Sequence, residues 1–249
     1  MINKLSVAII TKNEEKNIER CIKSVLWADE IVIVDSGSTD KTLEICRKYK
    51  CKIIETEWLG FGKTKQLAVN SASNNWILSL DADEVVTEKL KNEIIQILEK
   101  NLNKFIYKIK FNTFYLGKLI KYSGWQNEFH TRLFDKQFAN YNDNPVHEFI
   151  ITDLPRKRLF YPIYHYSYPT LQAHLFKMTN YSTLGAENLY NKNKKISIFS
   201  AVLRGFFKFI KMYFIQLGFL DGKNGLILSF ISAFGVSYKY LKLWELNRR

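Results

Sequence analysis

The sequence predicts an α/β fold in which a mostly parallel, Rossmann-like sheet is flanked by helices. Two observations predict it: short apolar runs alternate with helical patterns over the first hundred residues, and carboxylates follow two of those runs. Strands that alternate with helices form βαβ units around a buried parallel sheet. Ligands of such open sheets bind outside the carboxyl ends of the strands.

The individual elements follow from the order of these runs. Four strands are predicted at LSVAII (5–10), EIVIVD (30–35), CKIIET (51–56) and NWILSLD (75–81). Helical patterns cover 14–25, 40–49, 62–72 and about 87–100. Residues 105–125 alternate around a Leu-Gly-Lys turn, which predicts an antiparallel hairpin.

The remaining sequence predicts a change of architecture. The segment 125–165 reads as irregular, and the chain turns helical and basic after about Leu171. We therefore expect a catalytic or binding domain over 1–170 and a helical segment over 171–249.

The positive charge is concentrated in the C-terminal part. The formal net charge is +13, and from residue 190 onward eleven cations face only two carboxylates, a net +9. Residues 196–246 mix large apolar side chains with recurring Lys and Arg. Basic amphipathic helices of this kind bind anionic membrane surfaces, and the alternative is a helix pair packed on the domain with solvated lysines.

Three features bear on location. The N-terminal apolar run reads as a strand and not as a signal peptide. An odd number of cysteines without metal-ligand spacing indicates thiols in a reducing cytosol. Because no uninterrupted apolar run reaches about 18 residues, we expect no transmembrane helix. These features predict a cytoplasmic protein held peripherally on the inner face of the cell membrane.

Acidic residues follow the fourth strand. Asp81 and Asp83, with Glu84 beside them, put hard oxygen ligands where a buried strand ends. Such ligands suit Mg²⁺ or Mn²⁺, and magnesium is usually held by one or two carboxylates together with substrate phosphates. The pattern predicts a divalent metal and a nucleotide diphosphate, and the alternative is a solvated acidic loop.

Two other strand ends strengthen the metal interpretation. VDSGSTDKT (34–42) places Asp35 at the second strand end, and Gly37 permits an unusual backbone angle there. ITKNEE (10–15) exposes Thr11 and Asn13 after the first strand. The alternative for VDSGSTDKT is a well-capped turn between strand and helix.

Together these three stretches resemble glycosyltransferase family 2, whose fold is GT-A. The resemblance implies that Thr11, Asn13, Glu14 and Asp35 hold the nucleotide. It also implies that Asp81 contacts the nucleotide-sugar and that Asp81 and Asp83 supply metal ligands, with Asp83 binding the metal that bridges the diphosphate. The donor implied is a nucleotide-diphospho-sugar, UDP-linked.

Further stretches resemble the lipopolysaccharide-core β-glucosyltransferase group. They are WLGFGKTKQLAV (58–69), DNPVHEFI (143–150) and GFLDGKNG (218–225). One departure is Gln66, where the group usually has Asn. Lys65 is the cation expected to face the diphosphate, and its alternative is a solvated helix lysine. The acceptor implied is a lipid-linked glycan such as lipopolysaccharide core, which receives a hexose such as glucose.

The resemblance also implies inversion at the anomeric carbon, which requires a general base. Glu148 is the candidate base, and His147 would orient it or complete the metal shell. The alternative is a strand with one buried histidine. Trp125 and Arg132 are candidate acceptor contacts through stacking and phosphate clamping. No Gln-x-x-Arg-Trp motif follows, which favours a single addition over processive synthesis.

Two other functions are weighed against this one. A nucleotidyltransferase would share the sheet and the metal, but it normally has a glycine-rich basic loop after the first strand, which TKNEE lacks. A basic membrane- or nucleic-acid-binding protein without catalysis is the alternative from another class. Because the charge lies in an apolar tail, we expect no nucleic-acid partner.

Overall fold

The computed structural model describes residues 3–144 and 148–248. These residues form two compact units. The first comprises residues 1–111 and 128–165, and the second comprises 112–127 and 166–249. The structure thus assigns the stretch 112–127 to the helical unit, whereas the sequence predicts a single boundary near residue 170.

The first unit begins with the predicted parallel sheet. Its strands are β1 (Leu5–Thr11), β2 (Glu30–Asp35), β3 (Lys52–Glu55) and β4 (Trp76–Asp81), in the order β3-β2-β1-β4. The helices are α1 (Ile18–Ser24), α2 (Thr42–Lys48), α3 (Phe61–Ser71) and α4 (Glu88–Glu99). All seven residues of β1 are buried, because helices cover both faces of a parallel sheet. The predicted fold class is confirmed.

Antiparallel strands extend this sheet. They are β5 (Glu84–Val86), β6 (Ile106–Tyr115), β8 (Phe129–Asp135) and β12 (Ile163–Tyr168), which continue the order beyond β4 as β8-β6-β12-β5. A short strand β11 (Arg156–Arg158) pairs with β6, and β9 (Asn140–Tyr141) pairs with β10 (Ile150–Ile151). The prediction that 125–165 is irregular is therefore wrong. β8 escaped detection because its sequence FHTRLFD buries an arginine among apolar residues, which hides the alternation of a strand.

The strand register brings the predicted site residues to one edge of the sheet. Thr11 pairs with Asp35 across β1 and β2, and Ile10 pairs with Asp81 across β1 and β4. Parallel strands end at a common edge, so all three carboxyl ends meet there. The apolar runs bury the sheet, and the polar residues that follow them emerge together.

The second unit contains the predicted hairpin and helices. The end of β6 pairs with β7 (Lys118–Leu119) around Leu116 and Gly117, which both have positive φ. The helices are α5 (Leu171–Asn191), α6 (Ile198–Ile210) and α7 (Lys223–Leu246), with a π-helical turn at Lys211–Ile215 and a 3-10 helix at Gly218–Asp221. The hairpin and the helical character after Leu171 are confirmed.

Buried Asp221 explains why the loop after β7 belongs to this unit. Its carboxylate accepts hydrogen bonds from the backbone N–H groups of Lys121 and Tyr122, both at 3.0 Å. The hydroxyl of Ser123 donates to the same carboxylate at 3.1 Å. A charged acceptor that is satisfied in this way holds the loop onto the 3-10 helix.

Helices of the second unit pack through small residues. A Cβ added at Gly205 of α6 would lie 1.9 Å from the Ser237 hydroxyl of α7, so the two backbones approach closely. A Cβ at Gly235 would likewise lie 2.7 Å from Met178 of α5. By length and composition α7 is apolar enough to cross a membrane. This differs from the expectation of no transmembrane helix, which rested on the absence of a long uninterrupted apolar run.

Candidate active site

The turn after β2 is organised by Asp35. This residue is 1% exposed, and its carboxylate accepts hydrogen bonds from the backbone N–H groups of Gly37 at 3.0 Å and Ser38 at 2.8 Å. Gly37 has φ +83°, the left-handed conformation that the sequence predicts there. On the neighbouring strand end, the buried hydroxyl of Thr11 has no hydrogen-bond partner among the described residues. A buried hydroxyl without a partner is costly, which is typical of a group that awaits a ligand.

The segment after β1 is tied to this turn by Asn13 and Glu14. The N–H of Asn13 donates to the Ser38 hydroxyl, and its side-chain oxygen accepts from the Thr39 N–H, both at 2.8 Å. The N–H of Glu14 donates to the Thr42 hydroxyl at 2.8 Å. These bonds hold the first two strand-end loops together, so Asn13 shapes the edge around Thr11 and Asp35.

Lys65 joins two carboxylates at the same edge. This lysine of α3 is 3% exposed, which excludes the solvated alternative. Its Nζ lies 2.8 Å from Glu148 Oε1 and 3.1 Å from Asp81 Oδ1. Two residues that are 83 positions apart are thereby brought together, and the candidate base lies in the same ionic cluster as the strand-end aspartate.

Arg132 of β8 completes this cluster from the other side. It is 5% exposed, and its guanidinium lies 2.8 Å from Asp81 Oδ2 and also contacts Glu84 Oε1. The second oxygen of Glu84 accepts from the backbone N–H of Asp81 at 3.1 Å. The geometry therefore makes Arg132 a buried support of the acidic strand end. Arg132 also lines the neighbouring cleft, and its acceptor contact stays a prediction.

The charged groups in this cluster shift one another's pKa values. Burial by itself would raise the pKa of Asp81, but Lys65 and Arg132 hold that pKa well below its usual range. Although burial opposes the charge on Lys65, Asp81 keeps the pKa of the lysine above its ordinary value. Burial raises the pKa of Glu84 to about 8 against the attraction of Arg132. Asp81 thus stays ionised as an acceptor at this edge.

Asp83 is buried beside His165 of β12, and its Oδ2 lies 3.5 Å from His165 Nε2. Burial would lower the pKa of His165, but Asp83 raises it overall. Within the described residues no three His, Cys, Asp or Glu side chains are grouped so that they could hold a metal by themselves.

The donor set fits a divalent cation whose shell is completed by phosphates. Asp81, Asp83 and Glu148 supply carboxylate oxygens in this cluster, beside the cations Lys65 and Arg132. Magnesium is commonly held by one or two carboxylates together with substrate phosphates.

A cleft of about 520 Å³ opens next to this cluster. That volume is within the range of small-molecule sites. Its lining includes Lys65, Asp81, Glu84 and Glu148 at one end, and further side chains that sequence reasoning did not select. These further residues are Lys108, Phe111, Glu128, Phe129, His130, Thr131, Tyr141, Phe149, Ile150, Arg156 and His165.

Glu84 and His165 differ in how readily the sequence could have indicated them. Glu84 directly follows the Asp-x-Asp pattern, so its position was visible in the sequence. His165 had no local signal, because only the antiparallel pairing of β12 with β5 brings it opposite Glu84.

Two predicted residues do not lie in the described cluster. Trp125 belongs to the second unit, where it packs against Tyr115 and Tyr168, and His147 lies outside the described residues.

Comparisons with known proteins agree on one family. A family model described as "Glycosyl transferase family 2" matches residues 6–160. An uncharacterized glycosyltransferase of Rickettsia typhi is 33% identical over 258 residues, covering 99% of this chain and 88% of that protein. The lipopolysaccharide core biosynthesis glycosyltransferase LpsC of Rhizobium meliloti is 25% identical, covering 92% and 90% respectively.

Among solved structures, S. aureus TarS in complex with UDP-GlcNAc matches with a TM-score of 0.49 at 16% identity. That match covers 98% of this chain and 89% of the other. A likeness at this level adds nothing to the family assignment, which rests on the family model and the sequence relatives.

Proposed function

The chain belongs to glycosyltransferase family 2, which uses nucleotide-sugar donors, and from this premise we propose a specific reaction. The protein transfers one hexose, such as glucose, from a UDP-linked donor to a lipid-linked glycan acceptor such as lipopolysaccharide core, with inversion at the anomeric carbon. The observation that carries this proposal is the pair of carboxylates, Asp81 and Glu148, that Lys65 joins in the lining of the cleft.

The donor half of the site is proposed at the ends of β1, β2 and β4. The unpartnered hydroxyl of Thr11 and the Asp35 turn would receive the base and ribose, with Asn13 and Glu14 shaping that pocket. Asp83 would hold Mg²⁺ or Mn²⁺ together with the diphosphate, with Asp81 beside it. When bound, such a cation neutralises the charge that develops on the leaving nucleoside diphosphate.

The acceptor half depends on Glu148. In the proposed step the acceptor hydroxyl gives its proton to this carboxylate, its oxygen bonds to the anomeric carbon, and the bond from that carbon to the diphosphate breaks. Lys65 fixes one oxygen of Glu148 at 2.8 Å and so orients the carboxylate without occupying both of its oxygens. His147 is proposed to orient the same residue or to join the metal shell.

The relative LpsC supports the acceptor class, because its name assigns it to lipopolysaccharide core biosynthesis and it covers most of this chain. An acceptor of this class is anchored in a membrane. The enzyme must then work at the membrane surface.

The second unit is proposed to bind an anionic membrane peripherally, on the cytoplasmic side. Large apolar side chains of α6 point to solvent, with Phe199 at 72%, Phe206 at 57% and Phe207 at 63% exposure. In a soluble helix pair such residues would face the partner helix, but here the close approach uses Gly205. Small residues inside and large apolar residues outside are typical of helices in contact with lipid. Lys208 and Lys211 supply charge for anionic headgroups. The same outward phenylalanines argue against the nucleic-acid alternative.

The decisive test of the donor site is Asp83→Asn. We expect transfer and donor hydrolysis, measured across a panel of nucleotide sugars with Mg²⁺ or Mn²⁺, to fall about a thousandfold. The exposed Asp153→Asn serves as the matched control and should keep wild-type rates. Full activity of Asp83→Asn, or of the wild type in EDTA, would refute the metal assignment.

The test of the base is Glu148→Gln, which preserves shape and removes the proton acceptor. We expect UDP affinity to stay within about twofold while turnover falls about a hundredfold or more. Partial rescue by higher manganese would instead make Glu148 a metal ligand. Turnover of Glu148→Gln near the wild-type rate would exclude Glu148 as the base. The exposed Asp143→Asn is the comparison variant.

A further inference from the structure

Adjacent strands beside the cleft carry cations, and two of these, Lys108 and Arg156, line it. Parallel pairing of β11 with β6 places Arg158 opposite Lys108 and Arg156 opposite Ile106. Since side chains alternate along a strand, Lys108, Lys110, Arg156 and Arg158 share one face of the sheet. Lys157 lies on the opposite face, where its Nζ is 3.6 Å from the centroid of the Phe105 ring.

These four cations, called the basic wall below, are not neutralised by the protein. None of them has an ion pair with a carboxylate in the described part of the chain. Glu128, an acidic residue of the cleft lining, is bound to His130 at 3.0 Å. Like charges directly opposite each other across strands are destabilising, so the pairing of Arg158 with Lys108 has a cost that an anionic ligand would relieve.

The basic wall opens into the same cleft as the ionic cluster. Lys108 and Arg156 line it together with Asp81 and Glu148. The guanidinium of Arg158 lies 4.6 Å from the centroid of the Phe129 ring, and Phe129 also lines the cleft. The cleft therefore has an acidic end, where the metal and the candidate base are expected, and a basic end beside an aromatic ring.

We propose that the basic wall binds an anionic group, a phosphate or a carboxylate, on the acceptor saccharide. This inference rests on the proposed function and narrows its acceptor to a negatively charged sugar. Arginine and lysine recognise phosphates and carboxylates through charge-assisted hydrogen bonds, and the face of Phe129 can pack against a sugar ring. The carboxylates at the other end of the cleft repel the same anion, so the acceptor has one favoured orientation with its charge away from Glu148.

The test measures saccharide binding in the presence of UDP and Mg²⁺. The probes are glucose 6-phosphate, glucuronate and neutral methyl glucoside, titrated by ligand-observed NMR into the full chain. We expect the phosphate or the carboxylate probe to bind about tenfold tighter than methyl glucoside, and this preference to weaken as salt rises. The stronger of the two anionic probes identifies which group the basic wall takes.

Variants then locate the preference. Lys108→Gln and Arg156→Gln should each remove most of the preference for the anionic probe. Lys157→Gln makes the same charge change on the opposite face and should retain this preference. Equal binding of neutral and anionic probes to the wild type, or equal losses in all three variants, would overturn the inference. If Lys108→Gln weakened UDP binding instead, the basic wall would belong to the donor and the inference would be wrong.

The outcome is separable from that of the proposed function. Failure of the wild type to bind UDP contradicts the proposed donor, whatever the saccharide probes do. UDP binding without any preference for anionic sugars contradicts only the acceptor class inferred from the basic wall.

Discussion

The two units of this protein depart from an ordinary soluble domain in opposite directions. The first unit buries charge: Lys65 and Arg132 are 3% and 5% exposed, and both are paired with carboxylates. The second unit exposes apolar surface, with phenylalanines of α6 more than half accessible. Buried charges and exposed apolar patches are each unfavourable for a protein alone in water.

This difference indicates what kind of ligand each unit binds. Buried ions that are paired and oriented form a preorganised polar site, which suits a charged donor and its metal. Exposed phenylalanines flanked by lysines suit a surface that is apolar inside and anionic outside. If both interpretations hold, substitutions in the first unit should act on stability and chemistry, and those in the second on membrane affinity.

The largest effect is expected from removing the buried cation. Lys65→Met leaves Asp81 and Glu148 without their shared partner, and breaking a buried ion pair by removing one side costs about 3–5 kcal/mol. Lys63→Met, on an exposed position of the same helix, should change stability by less than about 0.5 kcal/mol. Urea unfolding monitored by fluorescence measures both. Similar stabilities for the two variants would mean that the cluster is solvated and the comparison fails.

A smaller effect is expected on membrane affinity. Phe206→Ser combined with Phe207→Ser should weaken binding to phosphatidylglycerol-containing vesicles about a hundredfold, because the apolar area of two side chains is lost from the interface. Phe138→Ser, at a 51% exposed position of the first unit, is the control and should bind like the wild type. Sedimentation with vesicles of zero and high anionic content reports both contributions. Unchanged binding of the double variant would remove α6 from the membrane contact.

The smallest effect is expected on the pH dependence of stability, from a titratable group that is buried in the second unit. His174 lies 2.9 Å from the Tyr115 hydroxyl, and burial lowers its pKa to about 4. Because the unfolded chain takes up the proton near pH 6.5 and the folded chain does not, His174 should contribute a loss of stability of about 2 kcal/mol as the pH drops from 7 to 5. Other buried groups titrate over the same range, so this contribution is measured as the change in the stability difference between the wild type and His174→Phe, by urea unfolding at both pH values. A difference that stays the same at pH 7 and pH 5 would contradict the buried neutral histidine.

Local patterns were sufficient for the first half of the fold. The runs at 30–35 and 75–81 predicted β2 and β4 within one residue, because parallel strands buried on both faces must be continuously apolar. The order of strands and helices also predicted which ends share an edge, so Thr11, Asp35 and Asp81 were selected without coordinates. Helix α1 begins at Ile18 and not at residue 14, since Glu14 is held in the loop by its bond to Thr42.

By itself, the sequence determined the α/β class, the acidic strand end, the hairpin and the concentration of charge in the C-terminal part. Only the tertiary structure decided that β8 joins β4, that Arg132 is buried between Asp81 and Glu84, and that His165 lies beside Asp83. It also decided that Lys65 meets Glu148 and that Lys108 faces Arg158. The reason is physical: periodicity and turn chemistry act over a few residues and are written locally, whereas ion pairs and antiparallel strand pairing join residues tens of positions apart. Their partners are selected by burial and geometry, which no local pattern encodes.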